Sequence, residues 1–447
     1  MAPELEPKVM QAVEALGYRA TVGDVAAQSG LRIADTERGL LALASEVGGH
    51  LQVADTGDIA YEFPRNFRSI LFNKYWQLRF QQGFAKLWNV VFYLIRIGFG
   101  LALIASIGIL AIALLIAAFA AMAASSNDDN DNGSSSNLDG LFRGLGDLLG
   151  GSLRLFYYAD WIGWGNYDSG ARSARPKSKR APSKRTPSEL NFLEAVFSFL
   201  FGDGNPNADL EDRRWQAIGQ VIRHQGGAIA AEQVLPFLDA SGAEADDAIL
   251  PVLTRFQGQP QVSPSGDLVY QFPELQVSAT PTRSQTDQNS SVFLQERPWR
   301  FSKATSGQLW AAGLLGLVNA GLAVAVGLML PDLSATGMGF LVFVSQIYPL
   351  LLVYGLGFLA IPLVRWQVLK WRDRGVNHRN QQRQALGQAL AAPTASLRTK
   401  LAYAQQFATQ NQLKPENAAY TTETDLIEQE IEQQDQLDAE WQRRLTS

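Results

Sequence analysis

The sequence contains no cysteine, and this absence excludes several kinds of chemistry at once. Disulfide bonds, thiolate metal sites, cysteine-ligated iron–sulphur clusters and a cysteine nucleophile all need a side chain that the chain does not have. Histidine is nearly as scarce, because His50, His224 and His378 are the only three. A three-histidine metal site would require these distant positions to converge. We therefore expect no metal and no cofactor.

Recognisable catalytic patterns are also missing. No carboxylate pair or catalytic triad stands out, and the glycine-rich stretch 140–151 lacks the preceding strand and the following Lys-Ser/Thr of a phosphate-binding loop. The acidic start, Met1–Glu6, has no apolar core of the kind that a secretory signal needs, so we expect the N-terminus to stay in the cytoplasm. The sequence predicts a protein that is not an enzyme.

Long apolar runs are present instead, although charged residues make up only 18% of the chain. Leu309–Leu330 and Gly337–Val364 are uncharged and are separated only by Pro331–Thr336. A bilayer core of about 30 Å needs about 20 helical residues. The sequence therefore predicts a transmembrane helical hairpin over 309–364 with a tight turn at the join. The uncharged run Ile97–Ala124 predicts a further transmembrane helix over 97–124.

Two soluble segments, 1–64 and 208–275, share one pattern of three helices followed by a β-hairpin, which is typical of a winged helix. Six hairpin residues of the first recur in the second at a single offset of 209 positions. The matched residues are Val53, Gly57, Asp58, Tyr61, Phe63 and Pro64 with Val262, Gly266, Asp267, Tyr270, Phe272 and Pro273. These matches predict an internal duplication.

Basic and aromatic residues follow each of these modules. The segment 65–96 carries six cations and no acid, and a shorter basic stretch precedes the hairpin. Such a mixture suits the lipid headgroup region, where rings sit at the boundary and cations face anionic lipid. The alternative is an ordinary solvated basic helix. The candidate membrane-interface residues are Lys74, Trp76, Arg79, Lys86, Arg96, Trp299, Arg300 and Lys303.

The distribution of cations predicts the topology. Both ends of the 309–364 hairpin are basic, so both are expected in the cytoplasm. The helix 97–124 should then lead outside into the acidic, disordered linker 125–137, yet the cationic run Arg172–Arg185 belongs inside. Segment 138–164 is accordingly predicted to return through the membrane as a protein-buried or re-entrant stretch. The alternative is an interfacial helix, with the second module on the opposite side.

The remaining segments complete an α-helical polytopic membrane protein with two duplicated α+β winged-helix-like soluble modules. Segment 165–207 combines a basic linker with a short apolar stretch that should dock on the membrane surface or against a helix. Segment 276–308 is predicted to be a linker that is flexible over Gln276–Asn289, and 365–447 a soluble helical region. The latter has one helix over Ser396–Gln410 and an acidic helix starting near Thr422.

The charge of the modules bears on their partner. Glu4–Glu62 and Asp209–Glu274 each contain ten acidic and four basic residues, a net charge near −6. DNA affinity depends mainly on neutralising phosphates, and the expected recognition helices, Asp35–Val47 and Asp246–Phe256, offer one arginine each. This argues against nucleic acid. Our leading hypothesis is a membrane scaffold or adaptor that recruits a protein partner through tandem acidic modules and also contacts membrane lipids.

A transporter or channel component is the alternative hypothesis. Asn319, Ser345 and Gln346 are intramembrane polar candidates for a path near the middle of the hairpin. In an antiparallel hairpin Asn319 and Gln346 lie at similar depth and are expected to hydrogen-bond across the helices. Pro349 and Pro362 are expected to kink the second helix. A purely structural role for these polar residues is the competing interpretation.

The run Asn191–Asn207, which reads NFLEAVFSFLFGDGNPN and continues into Arg214-Trp215 and Gly226-Gly227, resembles a family of cyanobacterial and plastid-envelope membrane proteins. The plant members often carry an iron–sulphur cluster biosynthesis label. The resemblance implies an integral membrane protein of the photosynthetic lineage, in the plasma or thylakoid membrane of a cyanobacterium. It also implies that the soluble modules face the cytoplasm or stroma. It supplies no catalytic residues.

Overall fold

The structure is a computed structural model, and its described residues form two compact units. It describes residues 6–74, 76–125, 191–239, 245–279, 293–335, 339–414, 418–423, 431 and 441. Unit one comprises Met1–Gly83, Asn207–Pro298 and Gly375–Ser447, and unit two comprises Phe84–Pro206 and Trp299–Arg374. The predicted linker at 125–137 and the predicted return at 138–164 lie outside the described residues, apart from Ser125.

Module one lies in unit one. Its elements are α1 (Pro7–Ala15), β1 (Arg19–Thr21), α2 (Val22–Ser29), α3 (Ile33–Val47), β2 (His50–Ala54) and β3 (Ile59–Glu62). Thr21 begins α2 by a capping box, because its side chain accepts from the Asp24 N–H while the Asp24 carboxylate accepts from the Thr21 N–H. Helices α2 and α3 end at glycines in the left-handed conformation, Gly30 and Gly48.

Module two has a similar element order, with two 3₁₀ turns in place of α2 and two short helices in place of α3. Its elements are α7 (Leu210–His224), β4 (Ala228–Ile229), two 3₁₀ turns (Ala231–Gln233 and Leu235–Phe237), α8 (Ala245–Ala248), α9 (Leu250–Phe256), β5 (Gln259–Val262) and β6 (Leu268–Gln271). Two predictions were wrong here. The second of the three expected helices is a pair of 3₁₀ turns, and the expected helix over Asp246–Phe256 is broken. Each interruption coincides with a proline in the first turn of the following segment, Pro236 or Pro251, which has no N–H to donate to a carbonyl of the preceding turn.

The sheets of the two modules match in order and in register. The antiparallel orders are β1-β3-β2 and β4-β6-β5. Tyr61 pairs with Ala20 and Leu51, and Tyr270 pairs with the residues 209 positions later than these. Left-handed backbone also recurs at this offset, in Gly17-Tyr18 with Gly226-Gly227, Gly48 with Gln257, and Gly57 with Gly266. The two modules therefore share sheet order and strand register, although their helices differ.

The modules pack against each other inside unit one. Helix α2 crosses α7 so closely that a Cβ at Gly219 would lie 2.8 Å from the Cα of Ala27. The buried carboxylate of Asp24 forms an ion pair with Arg223 at 2.7 Å and accepts a hydrogen bond from the Ser278 hydroxyl at 2.9 Å. One hydrophobic core contains Ala26, Ala27 and Ile33 of module one with Ile218, Ile222 and Phe256 of module two.

The C-terminal region completes unit one with α13 (Ala395–Gln405), β8 (Asn411–Gln412) and β9 (Ala418–Thr421). Strand β9 pairs antiparallel with β2, and β8 pairs parallel with β7 (Val277–Ser278). The predicted linker 276–308 is thus ordered at its start, where β7 follows α10 (Pro273–Gln276). The predicted helix over Ser396–Gln410 ends earlier, and the predicted helix from Thr422 lies almost entirely outside the described residues.

Unit two is helical. Helix α4 (Phe67–Lys74) belongs to unit one and is followed by α5 (Trp76–Ser125). Unit two also contains α6 (Phe192–Phe201), α11 (Ser306–Ala335) and α12 (Gly339–Ala391). The last turns of α12 belong to unit one. Among the described residues, three helices are long and apolar enough to cross a membrane: Val90–Ala120, Ser306–Met329 and Gly339–Ala391. The predicted turn at Pro331–Thr336 was wrong, because α11 continues through Pro331 to Ala335. Helix α12 also continues through Pro349 and Pro362 and far past Val364.

Helix α6 docks against the long helices, as the sequence predicted for this short apolar segment. Its Val196 and Leu200 share a core with Leu103 of α5, Leu315 of α11 and Phe358 of α12. Glycines permit the close packing, since a side chain at Gly100 would meet Leu193, and one at Gly316 would collide with the ring of Phe358.

Candidate functional site

Unit two contains a cavity of about 640 Å³ at the C-terminal end of α6. It is bounded by the loop Phe201–Asn205, by Trp299 and Arg300, and by one face of α12. The α12 residues that line it are Ala360, Ile361, Val364, Arg365, Val368, Leu369 and Arg372. The loop belongs to the NFLEAVFSFLFGDGNPN run, so the part of the sequence that carries the family resemblance forms one wall.

The local sequence explains the shape of this wall. A capping box begins α6, in which the Glu194 carboxylate accepts from the Asn191 N–H at 3.0 Å. Gly202 ends the helix with φ of 79°, and a Cβ at this position would collide with the Arg365 guanidinium. Gly204 also has a positive φ, of 90°. Glycine is therefore needed at position 202 both for the backbone conformation and for the space.

Arg365 holds the end of α6 in place. Its Nη1 donates to the carbonyl oxygens of Ser198 and Phe199, each at 3.1 Å, and its Nη2 donates to the carbonyl of Phe301. The guanidinium also lies 4.6 Å from the centroid of the Phe301 ring. A cation at a helix C-terminus adds hydrogen bonds to the last carbonyls and complements the helix dipole. Arg365 is thus a structural part of the cavity wall.

Asp203 fixes the loop from the other side. Its carboxylate accepts from the Ser198 hydroxyl at 2.7 Å and from the Lys303 backbone N–H at 2.6 Å, and Arg96 Nη2 lies 3.9 Å away. The Ser198 hydroxyl is also 2.6 Å from that of Ser302. These contacts connect the loop to α5 and to the segment before α11, and they compensate the negative charge of Asp203.

Two further cations of the cavity face solvent. Arg300 and Arg372 are both exposed, and neither forms an ion pair within the part of the chain that the structure describes. The Arg372 guanidinium lies 4.8 Å from the centroid of the Trp299 ring, and the Trp299 N–H donates to Asp373 at 2.7 Å. The cavity is therefore lined by two exposed arginines and by apolar residues of α12, which we call its apolar floor.

Four of the predicted interface residues lie around this loop. Arg300 and Trp299 line the cavity, Lys303 donates its N–H to Asp203, and Arg96 lies over the rings of Phe92 and Phe197 at 5.3 and 5.5 Å. The other four, Lys74, Trp76, Arg79 and Lys86, lie on α4 and α5, and their side chains are outside the described residues. Sequence reasoning did not assign Arg365 and Asp203, although the Gly-Asp-Gly pattern contained the second.

The predicted polar path does not come together. Asn319 is fully buried, and its Oδ1 accepts from the Ser106 hydroxyl of α5 at 2.8 Å. The predicted hydrogen bond to Gln346 is wrong, because Gln346 is exposed, and Ser345 donates to the Val342 carbonyl of its own helix. The reason is the register of the hairpin. Because α11 extends to Ala335, Gly355 approaches Asn319 instead, and a Cβ there would lie 3.4 Å from Nδ2.

The predicted recognition helices differ in what their arginines do. Arg38 of α3 is exposed, whereas Arg255 of α9 lies 4.1 Å from the centroid of the Trp215 ring and donates to the Gly30 carbonyl. Arg255 is therefore committed to the contact between the modules. Both helices also carry an exposed leucine at equivalent positions, Leu41 with 46% and Leu250 with 56% of its surface accessible.

Within unit one, a partly buried network of charges joins module two to the last turns of α12. Arg383 pairs with Glu296 at 3.0 Å and with Asp239, which also pairs with Arg214. Hydrogen bonds from Arg379 hold the pKa of Glu296 below its ordinary value, despite burial. Burial opposes ionisation of Asp239 too, but Arg383 and Arg214 outweigh it and lower the pKa of Asp239. Among the described residues no group of three or more potential metal ligands occurs.

Comparison with known proteins identifies one full-length relative. A chloroplastic protein of Arabidopsis thaliana, described as "Uncharacterized protein At5g03900", is 34% identical over 454 residues. The alignment covers 99% of this chain and 82% of the plant protein. No family model matches the chain, and no solved structure matches it.

Proposed function

The chain belongs to the family of this chloroplastic plant protein, and we propose that it is an integral membrane scaffold whose tandem acidic modules recruit a protein partner. The three helices that are apolar and long enough to span a bilayer support the membrane anchor. The common strand register at one offset of 209 supports a duplicated pair of winged-helix-like modules. The proposed setting is the plasma or thylakoid membrane of a cyanobacterium, with the modules in the cytoplasm.

The observation that carries the proposal is the pair of exposed leucines on the acidic modules. Leu41 and Leu250 occupy equivalent positions. Glu37, on the same helix as Leu41, and Asp247, on α8 just before Leu250, are also exposed. A winged helix that reads DNA would need cations here. An exposed apolar side chain bordered by carboxylates instead suits a protein surface that combines apolar and basic residues.

The packing between the modules favours one partner that contacts both leucines. The Asp24–Arg223 ion pair and the close α2–α7 contact join the modules into a single unit. The two leucines are therefore held at a fixed separation, so a partner that reaches both gains avidity without paying for ordering a linker. A role in iron–sulphur cluster assembly would have to proceed without thiolates from this chain, since it has none.

The test uses the full-length protein in its native membrane, with chemical cross-linking followed by purification and quantitative mass spectrometry. The double variant Leu41→Glu/Leu250→Glu is expected to lose the partner, and each single variant to lose part of it. Val262→Glu is the matched control, because Val262 is 63% exposed but lies on β5. If the double variant and the control recover the same proteins as the wild type, the proposed docking face is wrong.

A second candidate function, transport, is favoured by one observation. The Nδ2 atom of the buried Asn319 has no hydrogen-bond partner among the described residues. Unpaired donors at bilayer depth are costly and often functional. Solute flux into proteoliposomes that contain the purified protein would support transport if it disappears in Asn319→Leu and persists in Ser345→Ala. Unchanged flux, or none in the wild type, would leave Asn319 as a packing residue.

A further inference from the structure

We propose that the cavity beside the Phe201–Asn205 loop binds one anionic phospholipid, with its phosphate on Arg300 and Arg372 and an acyl chain along α12. The proposal rests on the membrane-spanning role of α12 and not on partner recruitment by the modules. The shared chemistry is a phosphate anion, and a lipid is the source that the shape of the cavity favours.

The position of the cavity along α12 places it at the edge of the hydrocarbon region. Helix α12 is uncharged from Gly339 to Val364, and Arg365 is the first cation after this run. Ile361 and Val364 lie on the apolar side of that boundary and are exposed, while Arg372 lies on the charged side. Arginine and tryptophan are typical of the headgroup level. The cavity thus spans the depth at which a lipid headgroup joins its acyl chain.

The cations that remain for a ligand are Arg300 and Arg372. Arg365 is occupied by three backbone carbonyls, so it shapes the wall. Seven residues separate Arg365 from Arg372, or about 10 Å along a helix, which brings Arg372 to the level of the headgroups. Stacking on Trp299 orients its planar guanidinium. Guanidinium groups bind phosphate oxygens in pairs of parallel hydrogen bonds, more specifically than an ammonium does.

The carboxylate of Asp203 is not free to repel an anion bound in the cavity. Asp203 lines the same cavity, but Ser198, the Lys303 N–H and Arg96 already surround its oxygens. Asp203 therefore acts as the internal support of the loop. The apolar floor distinguishes the two possible sources of phosphate, because a free anion gains nothing from Ile361 and Val364, whereas an acyl chain covers them.

The experiment measures lipid retention by the purified full-length protein in detergent, using native mass spectrometry. Phosphatidylglycerol and phosphatidylcholine with identical acyl chains are titrated separately, with inorganic phosphate as a competitor. We expect one tightly retained phosphatidylglycerol. Arg300→Gln/Arg372→Gln should weaken its retention about tenfold or more, because each lost bond to a charged group changes affinity by that order. Arg300→Lys/Arg372→Lys should keep part of it.

Arg374→Gln is the matched control, since Arg374 is exposed on the same helix but does not line the cavity. Its effect should stay within about twofold, the size of a surface-charge effect near lipid. An equal loss in Arg374→Gln, or equal retention of the two phospholipids, would overturn the proposal. Complete displacement of phosphatidylglycerol by inorganic phosphate would replace the lipid by a free anion. None of these outcomes depends on whether the modules bind a partner.

Discussion

The two modules have sheets of the same order and register but with different edges. In module one the outer edge of β2 pairs with β9, and Leu51 exchanges hydrogen bonds with Thr422 at 2.9 and 3.0 Å. In module two the residue equivalent to Leu51 is Pro260, which has no N–H to donate. The carbonyl of Val262 accepts instead from the Tyr403 hydroxyl at 3.0 Å.

This difference shows that the edges of two similar sheets can be protected from further strand pairing in two ways. An exposed strand edge invites pairing with another chain, and proline or a covering segment prevents it. Module one is covered by the chain's own C-terminal strand, and module two is protected by a proline and a tyrosine. Strand addition by a partner is therefore not expected at either edge. The faces of α3 and α9 remain, which supports the docking face that we propose.

The largest expected effect compares the ion pairs of Arg383, which attach module two to the end of α12, with a half-exposed ion pair of module one. Arg383→Leu removes one of two cationic partners from Glu296 and from Asp239, which keep Arg379 and Arg214. Each lost contact between charged groups costs about 1.5–3 kcal/mol, so we expect a total loss of about 3–5 kcal/mol. Arg68→Leu removes the half-exposed pair with Glu14 of module one and should cost at most about 1 kcal/mol. Thermal or denaturant unfolding of the full-length protein in detergent, followed by circular dichroism, measures both. Equal losses would contradict the distinction.

The next effect compares the equivalent turns after the first helix of each module. Gly17 and Gly226 both have positive φ, so alanine is strained at either position. A Cβ at Gly17 meets open space, whereas one at Gly226 lies 2.9 Å from the Cβ of Ala408. Gly17→Ala should therefore destabilise by about 1 kcal/mol and Gly226→Ala by about 2–3 kcal/mol. The same unfolding measurement decides, and a larger loss at Gly17 would show that the two turns are not packed as described.

The loss of stability of unit one at low pH should depend on Glu296 and on Asp239 of module two. Folded Glu296 and Asp239 have pKa values below their ordinary values of 4.5 and 3.8. Depressed carboxyl pKa values stabilise the fold above the unfolded pKa, and this stability is lost as pH falls through the folded pKa. Stability should thus decline as the pH drops below about 5. Glu296→Gln should flatten this decline in a pH series of unfolding curves, and an unchanged decline would contradict the assignment to Glu296.

The smallest expected effect concerns the protected edge of β5. Pro260→Leu restores the N–H that module one has at Leu51 and should change stability by less than about 0.5 kcal/mol. It should raise the tendency of the protein to self-associate, because an open edge is a template for pairing. Light scattering after size exclusion measures this, with Gln261→Leu as the control at the neighbouring position. A variant that remains as monodisperse as the wild type would assign the protection to Tyr403 alone.

Local chemistry made part of this structure predictable. The Thr21–Asp24 capping box and the terminal Gly30 delimit α2, one of the three helices that the pattern of module one predicted. Gly57 and Gly266 supply the positive φ that a tight hairpin needs, so the matched hairpins could be located without coordinates. Prolines misled the prediction in both directions. Pro236 and Pro251 interrupt expected helices, whereas Pro331 lies inside α11, because helix neighbours and position within a turn decide what a proline does.

The sequence by itself determined the apolar helices, the paired module pattern and the absence of thiol chemistry, since each depends on composition or on contacts close along the chain. Only the tertiary structure decided that Asn319 meets Ser106, that Arg365 holds the end of α6, and that β9 covers β2. These contacts join residues more than 150 positions apart. Their partners are chosen by helix register and by the room that glycines leave, and neither is encoded in the local pattern around any one residue.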